Sequence, residues 1–493
     1  MRSPALFLSR PSFMREHTTV LHLCLASLLI LLWRLLAFAN AGATLYVDEA
    51  QYWLWSQHLD WGYFSKPPGI AALILISTSL FGDAPWAVKL LCMLCYPASA
   101  WVARAIAICL YDRTTGNWTF ACVLTLPMYA WLGWFASTDA PLILCWSLAL
   151  LAYLNALSRP ASKRWLLLGL ACAAGLLSKY TMLAFLFSMG LHLALRHRSL
   201  LRQPGPWLAI SVAVLCLLPN LAWNLAHDFP TLRHTAEITL ARHGSHPLTD
   251  LLTFIAAQWI GLGLLSTILL LHVIRARMAV ADPNELLLLC FCLPLWALAA
   301  LQAIHGGANA NWAAPALLPA CILLVAHACQ QGLQPLLKLS LLLNLIITAL
   351  AYHAPAALLA LPPTYAKLNP LLRATGWDGL ASQLRPLLHR YPDAALLADN
   401  RTLLAHLGYE LRDIKPALAA WQAGSAPADH FQLTYPLARQ AASAFLFIGE
   451  NPPPAALSEQ FAALSKLAEL QRPAPGNSPH KLLVYLLHER KTL

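Results

Sequence analysis

Two adjacent carboxylates are the first residues in this chain with chemistry to offer. Asp48 and Glu49 stand near the start of Tyr46-Val47-Asp48-Glu49-Ala50-Gln51-Tyr52-Trp53-Leu54-Trp55, and Leu59-Asp60-Trp61-Gly62-Tyr63-Phe64-Ser65-Lys66-Pro67-Pro68 follows closely. A carboxylate so placed can accept the proton of an attacking hydroxyl or help hold a divalent cation. The same pair also suits the first turn of a helix, where acids complement the dipole. Lys66 and Lys179 fit a phosphate as point charges, and they equally fit snorkelling at a membrane surface. Asp139, in Ser137-Thr138-Asp139-Ala140-Pro141, is either a further acid of the same site or part of a capped helix start. Arg233 and Arg242 are candidate anion contacts in a loop that also carries His227, Asp228, His234, Glu237, His243 and His246. His243-x-x-His246 has the spacing of a metal pair, but no third ligand stands out. Tyr52 and Tyr63 suit a sugar ring, and they also suit the aromatic belt of a membrane interface.

The elements that must position these residues are set by lipid. The 493-residue chain is 59% hydrophobic and 11% charged, whereas a soluble domain carries about 25% charged residues. Its net charge of +11 does not read as nucleic-acid binding, because Lys and Arg sit in short loops between apolar runs, where they set topology. All 12 cysteines precede residue 330, nearly all in apolar runs, and they read as small buried hydrophobes with neither a disulfide frame nor a zinc site. Arg2, Arg10 and Arg15 precede a first apolar run too long for a signal peptide, so an uncleaved first helix is expected.

Apolar runs at 18–38, 84–110, 117–136, 139–158, 164–177, 180–195, 207–226, 249–273, 285–304, 311–330 and 334–354 predict about eleven transmembrane helices. The pair 164–177 and 180–195 is short for a crossing and predicts tilt, local thinning or a tight hairpin. Gly69–Phe81 is shorter still and reads as a juxtamembrane helix opened by Pro67 and Pro68. With the N-terminus cytoplasmic, the cytoplasmic loops hold Arg113, Lys163 and Arg164, Arg196, Arg198 and Arg202, Arg275 and Arg277, and Lys338, as the positive-inside rule requires. Every motif named above then falls on the opposite face. The expected organisation is a membrane domain over 1–360 and a soluble α/β domain over 366–493 on the outer side. In that domain strands are expected at 394–398, 444–448 and 482–486, and helices near 401–409 and 455–470.

The order of these motifs resembles a known family. Asp48-Glu49-Ala50-x-Tyr52-Trp53, Trp61-Gly62-Tyr63-Phe64-x-Lys66-Pro67-Pro68, Thr138-Asp139-Ala140-Pro141, Leu177-Ser178-Lys179-Tyr180, Trp223-Asn224-x-x-His227-Asp228 and Asn311-Trp312-x-Ala314-Pro315 look like the lipid-linked-sugar glycosyltransferases of the GT-C fold. The nearest group is that of the protein O-mannosyltransferases and lipid A aminoarabinose transferases. The resemblance implies a sugar donor on polyprenyl phosphate, an acceptor hydroxyl from a lipid, glycan or protein, and a bacterial inner membrane. It implies Asp48 as general base with Glu49 beside it, Asp139 as the second-loop acid, and Lys66 and Lys179 at the phosphate. Lys89 stands where relatives usually carry Arg, which removes a bidentate fork at that contact. The paired acids permit a divalent metal ion without requiring one. The rival reading is a transporter or flippase for a lipid-linked or anionic substrate; against it, no internal repeat is evident, and the polar residues lie in loops. A membrane-bound assembly protein is a third reading, and one that would tolerate Asn at position 48.

Overall fold

A computed structural model describes residues 10–240, 246–277, 282–362, 365, 367–473 and 479–491, so Arg242 and His243 lie outside the described residues. The chain is an all-α polytopic membrane bundle followed by a small α/β domain. Among the described residues, seven helices are long and apolar enough to cross a bilayer: His17–Asn40, Pro85–Leu110, Asp139–Ser158, Pro204–Ala226, Pro283–Gly306, Ala310–Gln330 and Gln334–Leu359. Several begin with proline, which needs no hydrogen-bond partner at a first turn. Ala310–Gln330 is almost wholly enclosed by its neighbours. The outer helices present leucines outward, such as Leu21, Leu25, Leu28 and Leu32 on the first and Leu298 and Leu301 on another. So much exposed apolar surface is stable only against lipid.

The remaining four expected spans are short or broken, and the breaks have local causes. The run 117–136 divides into Arg113–Leu124 and Pro127–Leu132, because Pro127 restarts the helix after an extended Leu126. The run 249–273 bends by 105° at Gly263, or makes an eighth span if the bent pair crosses as one. Ser162–Ser178 and Leu183–Arg196 form a hairpin around Lys179, whose extended backbone (φ −161°, ψ 133°) interrupts the helical path. Gly69–Phe81 is a helix of 13 residues, about 20 Å long at 1.5 Å per residue and short of a hydrocarbon core of roughly 30 Å.

The C-terminal part holds a five-stranded sheet in the order β2-β1-β3-β5-β4. Its strands are β1 (Ala395–Ala398), β2 (Leu418–Ala420), β3 (Ala444–Gly449), β4 (Phe461–Arg472) and β5 (His480–Arg490). β1 pairs in parallel with β2 and β3, while β5 is antiparallel to β3 and β4. The expected helix over 455–470 is corrected: only Ala455–Ser458 is helical, and the rest is the edge strand β4. Leu464, Leu467 and Leu470 recur every third residue, a helical spacing. A register shift between Lys466 and Ala468 absorbs the odd residue and lets the segment pair along β5.

The helix Arg401–Glu410 lies on the first-loop helix Val47–Gln57. A side chain at Gly408 would meet Leu54 at 3.1 Å. Tyr409 packs edge-on against Trp53 with ring centres 5.1 Å apart, and its hydroxyl donates to the Asp83 carbonyl at 2.7 Å. The C-terminal domain is thereby seated directly on the segment that carries Asp48.

Candidate active site

The motifs, scattered over some 270 positions of sequence, come together at one end of the bundle. Trp61 and Asp60 are tied to the Pro204–Ala226 helix: Asn220 Nδ2 donates to the Trp61 carbonyl at 2.7 Å, and Trp223 Nε1 to Asp60 Oδ2 at 2.6 Å. Tyr180 Oη donates to Asn220 Oδ1 at 2.6 Å, and Thr231 Oγ1 to the Tyr63 carbonyl at 2.7 Å. The basic end lies opposite, where Arg196 and His197 share a cavity with Leu110, Ser158 and Asn284.

The two adjacent acids have separate surroundings. Glu49 is 2% exposed and faces Lys89, itself 1% exposed, with both carboxylate oxygens 2.5 Å from Nζ. Glu49 also accepts from Tyr46 N at 2.8 Å and Ala136 N at 2.6 Å, and Lys89 donates to the Trp134 carbonyl at 3.1 Å. The break after residue 132 supplies those two backbone groups, an irregular backbone that is stable at membrane depth only because protein satisfies it. Lys89, grouped with the phosphate contacts from sequence, is therefore fully engaged with Glu49. Asp48 points the other way, with its side chain 56% exposed and Oδ1 3.1 Å from Arg401 Nη2 of the C-terminal domain.

Asp139 is 2% exposed. Lys179 Nζ donates to its Oδ1 at 2.7 Å and Asn311 Nδ2 to its Oδ2 at 2.6 Å. Thr138 makes no capping hydrogen bond, so this acid joins three elements instead of ending one. Lys66 reaches the same place because Gly69 lets the chain pass close to the Lys179 turn. A Cβ at Gly69 would lie 2.7 Å from the Leu177 carbonyl oxygen and 2.9 Å from Ser178.

Among the described residues Lys66 makes no hydrogen bond or ion pair, although it is half-buried. Burial first, and then the like charge of Lys179, holds its ammonium below the usual lysine range. Asp48, Asp139 and Arg401 also act on it. Burial, then the charges of Asp48 and Asp139, pushes the Tyr52 phenol well above its ordinary value. Burial, then Lys66, pushes His234 down. An exposed carboxylate beside an unsatisfied cation can take up a proton while the cation holds an anion.

Next to this cluster lies a cavity of about 1130 Å³ between the first loop, residues 223–237 and the C-terminal domain. Tyr63, Arg233, His234, Trp223 and His430 line it. Tyr63 stacks on Trp55 at 4.3 Å, its hydroxyl donates to the Trp55 carbonyl at 3.1 Å, and burial raises its pKa to about 12. No group of three His, Cys, Asp or Glu among the described residues is arranged to hold a metal ion.

Arg401 is the site residue that motif reasoning did not single out, and Asn311 is one it quoted without giving a role. Asn311 was visible as part of Asn311-Trp312-x-Ala314-Pro315. Arg401 carried no signal beyond its place after Asn400, whose side chain caps the following helix by accepting from Thr402 N at 2.8 Å.

A helical bundle with broken ends joins here a first-loop acid, a lysine unpaired among the described residues, and a C-terminal domain seated over both. The chain belongs to the GT-C fold glycosyltransferases that use lipid-linked sugars. Residues 65–223 match the family described as Dolichyl-phosphate-mannose-protein mannosyltransferase. Over 425 residues the chain is 32% identical to the lipid A galacturonosyltransferase RgtD of Rhizobium johnstonii, covering 85% of this chain and 89% of that one. The fold matches ArnT of Cupriavidus metallidurans in the apo state, with TM-score 0.64 and 15% identity over 96% of this chain and 98% of that one. It also matches ArnT bound to undecaprenyl phosphate, with TM-score 0.65 and 14% identity over 94% of this chain and 97% of that one. This membership does not favour the transporter reading.

Proposed function

We propose that the chain moves a sugar from a polyprenyl-phosphate donor to an acceptor hydroxyl at the outer face of a bacterial inner membrane, with inversion at the anomeric carbon. The acceptor oxygen attacks that carbon as its proton passes to Asp48. The bond to the lipid phosphate breaks, and its electron pair leaves with the phosphate, held by Lys66 with Lys179 close by. Asp139 fixes Lys179, and the Glu49–Lys89 pair fixes the backbone around Asp48. The observation that carries this reading is the half-buried, unpartnered Lys66 ammonium set among Asp48, Asp139 and Lys179. The basic loops gathered at the far end of the bundle support a cytoplasmic N-terminus and a periplasmic outer domain.

The name of the 32% identical relative supports a galacturonosyl donor and a lipid A acceptor. A uronic acid adds a second negative charge to the donor, which suits a site where Lys66, Lys179 and Arg401 stand against Asp48 and Asp139. The adjoining cavity, with Trp223, Arg233 and His234 in its wall, is of a size and character to take a sugar-bearing acceptor headgroup.

The test is transfer of labelled sugar from polyprenyl-phosphate donors by the purified protein in lipid, with uronosyl and neutral hexosyl donors compared. Asp48→Asn, still folded, should lose at least about a hundredfold in turnover, the low end of what a general base supplies. Full activity in that variant would remove Asp48 from the role.

A further inference from the structure

The acid assigned as base lies in the membrane domain, yet the cation touching it comes from the outer domain. Arg401 Nη2 is 3.1 Å from Asp48 Oδ1, and Arg401 Nη1 is 3.2 Å from Gln51 Oε1. Asp48 and Gln51 are one helical turn apart, so the guanidinium fork spans one face of the Val47–Gln57 helix. Gln51 is 2% exposed and Arg401 40%. One end of the fork is therefore anchored at a buried amide, while the other meets the exposed carboxylate. Arg401 itself is fixed: it opens a helix capped by Asn400, and that helix is held by the contacts of Gly408 and Tyr409 with the first loop. An exposed ion pair between two free side chains contributes little. Here one partner is preorganised by packing and a second hydrogen bond, so its geometry is set before substrate arrives.

We propose that Arg401 is a positioning residue of the transferase site, supplied by the C-terminal domain, that orients the Asp48 carboxylate toward the acceptor hydroxyl. This rests on the assignment of Asp48 as the base. The charged and titratable groups around Asp48 are Glu49 and Tyr52 on its own helix, Lys66, Asp139 and Lys179 from the membrane loops, His234 from the cavity wall, and Arg401. Glu49 is neutralised by Lys89, and Asp139 is paired with Lys179. Lys66 is reserved for the leaving phosphate, which leaves Arg401 as the cation bonded to Asp48 throughout the cycle.

The experiment measures kcat and KM separately for sugar transfer by the full-length protein in lipid, for wild type, Arg401→Gln and Arg401→Lys. Arg401→Gln should lose at least about tenfold in kcat, the kind of loss a misplaced reacting group causes, while KM for donor stays in place because Lys66 is untouched. Arg401→Lys keeps a cation without the fork, so it should recover part of the lost kcat. Arg385→Gln, which breaks an exposed pair with Asp413 in the same domain, should leave both constants unchanged. An Arg401→Gln protein with wild-type kcat would overturn the proposal, as would one whose only defect is poor yield. Activity retained in Asp48→Asn would instead overturn the base assignment beneath it.

Discussion

The Glu49 carboxylate has taken up every partner around it: an ammonium, the Tyr46 amide and the Ala136 amide. Removing one member of a buried pair of this kind costs about 3–5 kcal/mol, because the other charge is left uncompensated. Its neighbour Asp48 keeps an exposed side chain. Sequence allowed one of the two acids to be a helix-start residue, and Glu49 is that one, reaching back to the amide of Tyr46. Which of the two it would be was not legible, since it depends on Lys89 arriving from 40 residues away. The same contact suits a lysine at 89: a compact ammonium fits between Glu49 and the Trp134 carbonyl. Lys66 gives the prediction at this scale. Its pKa is lowered, so the proton is lost earlier as pH rises than from a solvated lysine, and the hold on phosphate proposed for it would go with the proton. The KM for donor should therefore climb at moderately alkaline pH. Lys66→Arg, which cannot deprotonate, should remove that climb, and an identical alkaline rise in the variant would place its cause elsewhere.

At the scale of elements, seven of the eleven expected runs are continuous helices long enough to span among the described residues, because an apolar run of that length is at home in lipid or in the bundle interior. The interruptions within the rest were harder to see. Pro127 is visible in the sequence, but a proline within an apolar run can kink a helix or end it. Here one helix ends before it and another starts at it, and the chain finds Glu49 and Lys89 as partners only after the second break, beyond Leu132. The 105° bend falls at Gly263, whose φ of +89° residues with a Cβ rarely adopt. β4 failed for the opposite reason: its leucine spacing is helical, and pairing with β5 overrides it. Gly69 is the element-level position most open to test. Gly69→Ala places a methyl group within 3 Å of the Leu177–Ser178 backbone, a clash of the order of 1–3 kcal/mol. Relief must separate the helix that follows Lys66 from the turn that carries Lys179. Sugar transfer should fall at least tenfold while the thermal melt drops by only a few degrees. Unchanged transfer would show that the spacing of the two lysines is not critical.

For the whole molecule, the positive-inside pattern was enough to gather the motifs on one face, since orientation is set by loop charge and needs no knowledge of packing. It could say nothing of Arg401, which lies in an unremarkable helix start and matters only through where its domain is seated. Gly408→Leu tests that seating. The added side chain meets Leu54 and should lift the helix Arg401–Glu410 off the first loop. Transfer should be lost while the membrane helices remain intact by circular dichroism, and the outer domain should be cut faster in limited proteolysis. Full transfer from a chain so altered would show that the domain need not dock. The pairing of Asp48 with Arg401 also spans 353 positions, and this orders events during biosynthesis. Asp48 is made early and stays without this partner until residue 401 has been synthesised and its helix has seated on the first loop. A chain cut short before that helix keeps the residues of its membrane helices but not this contact.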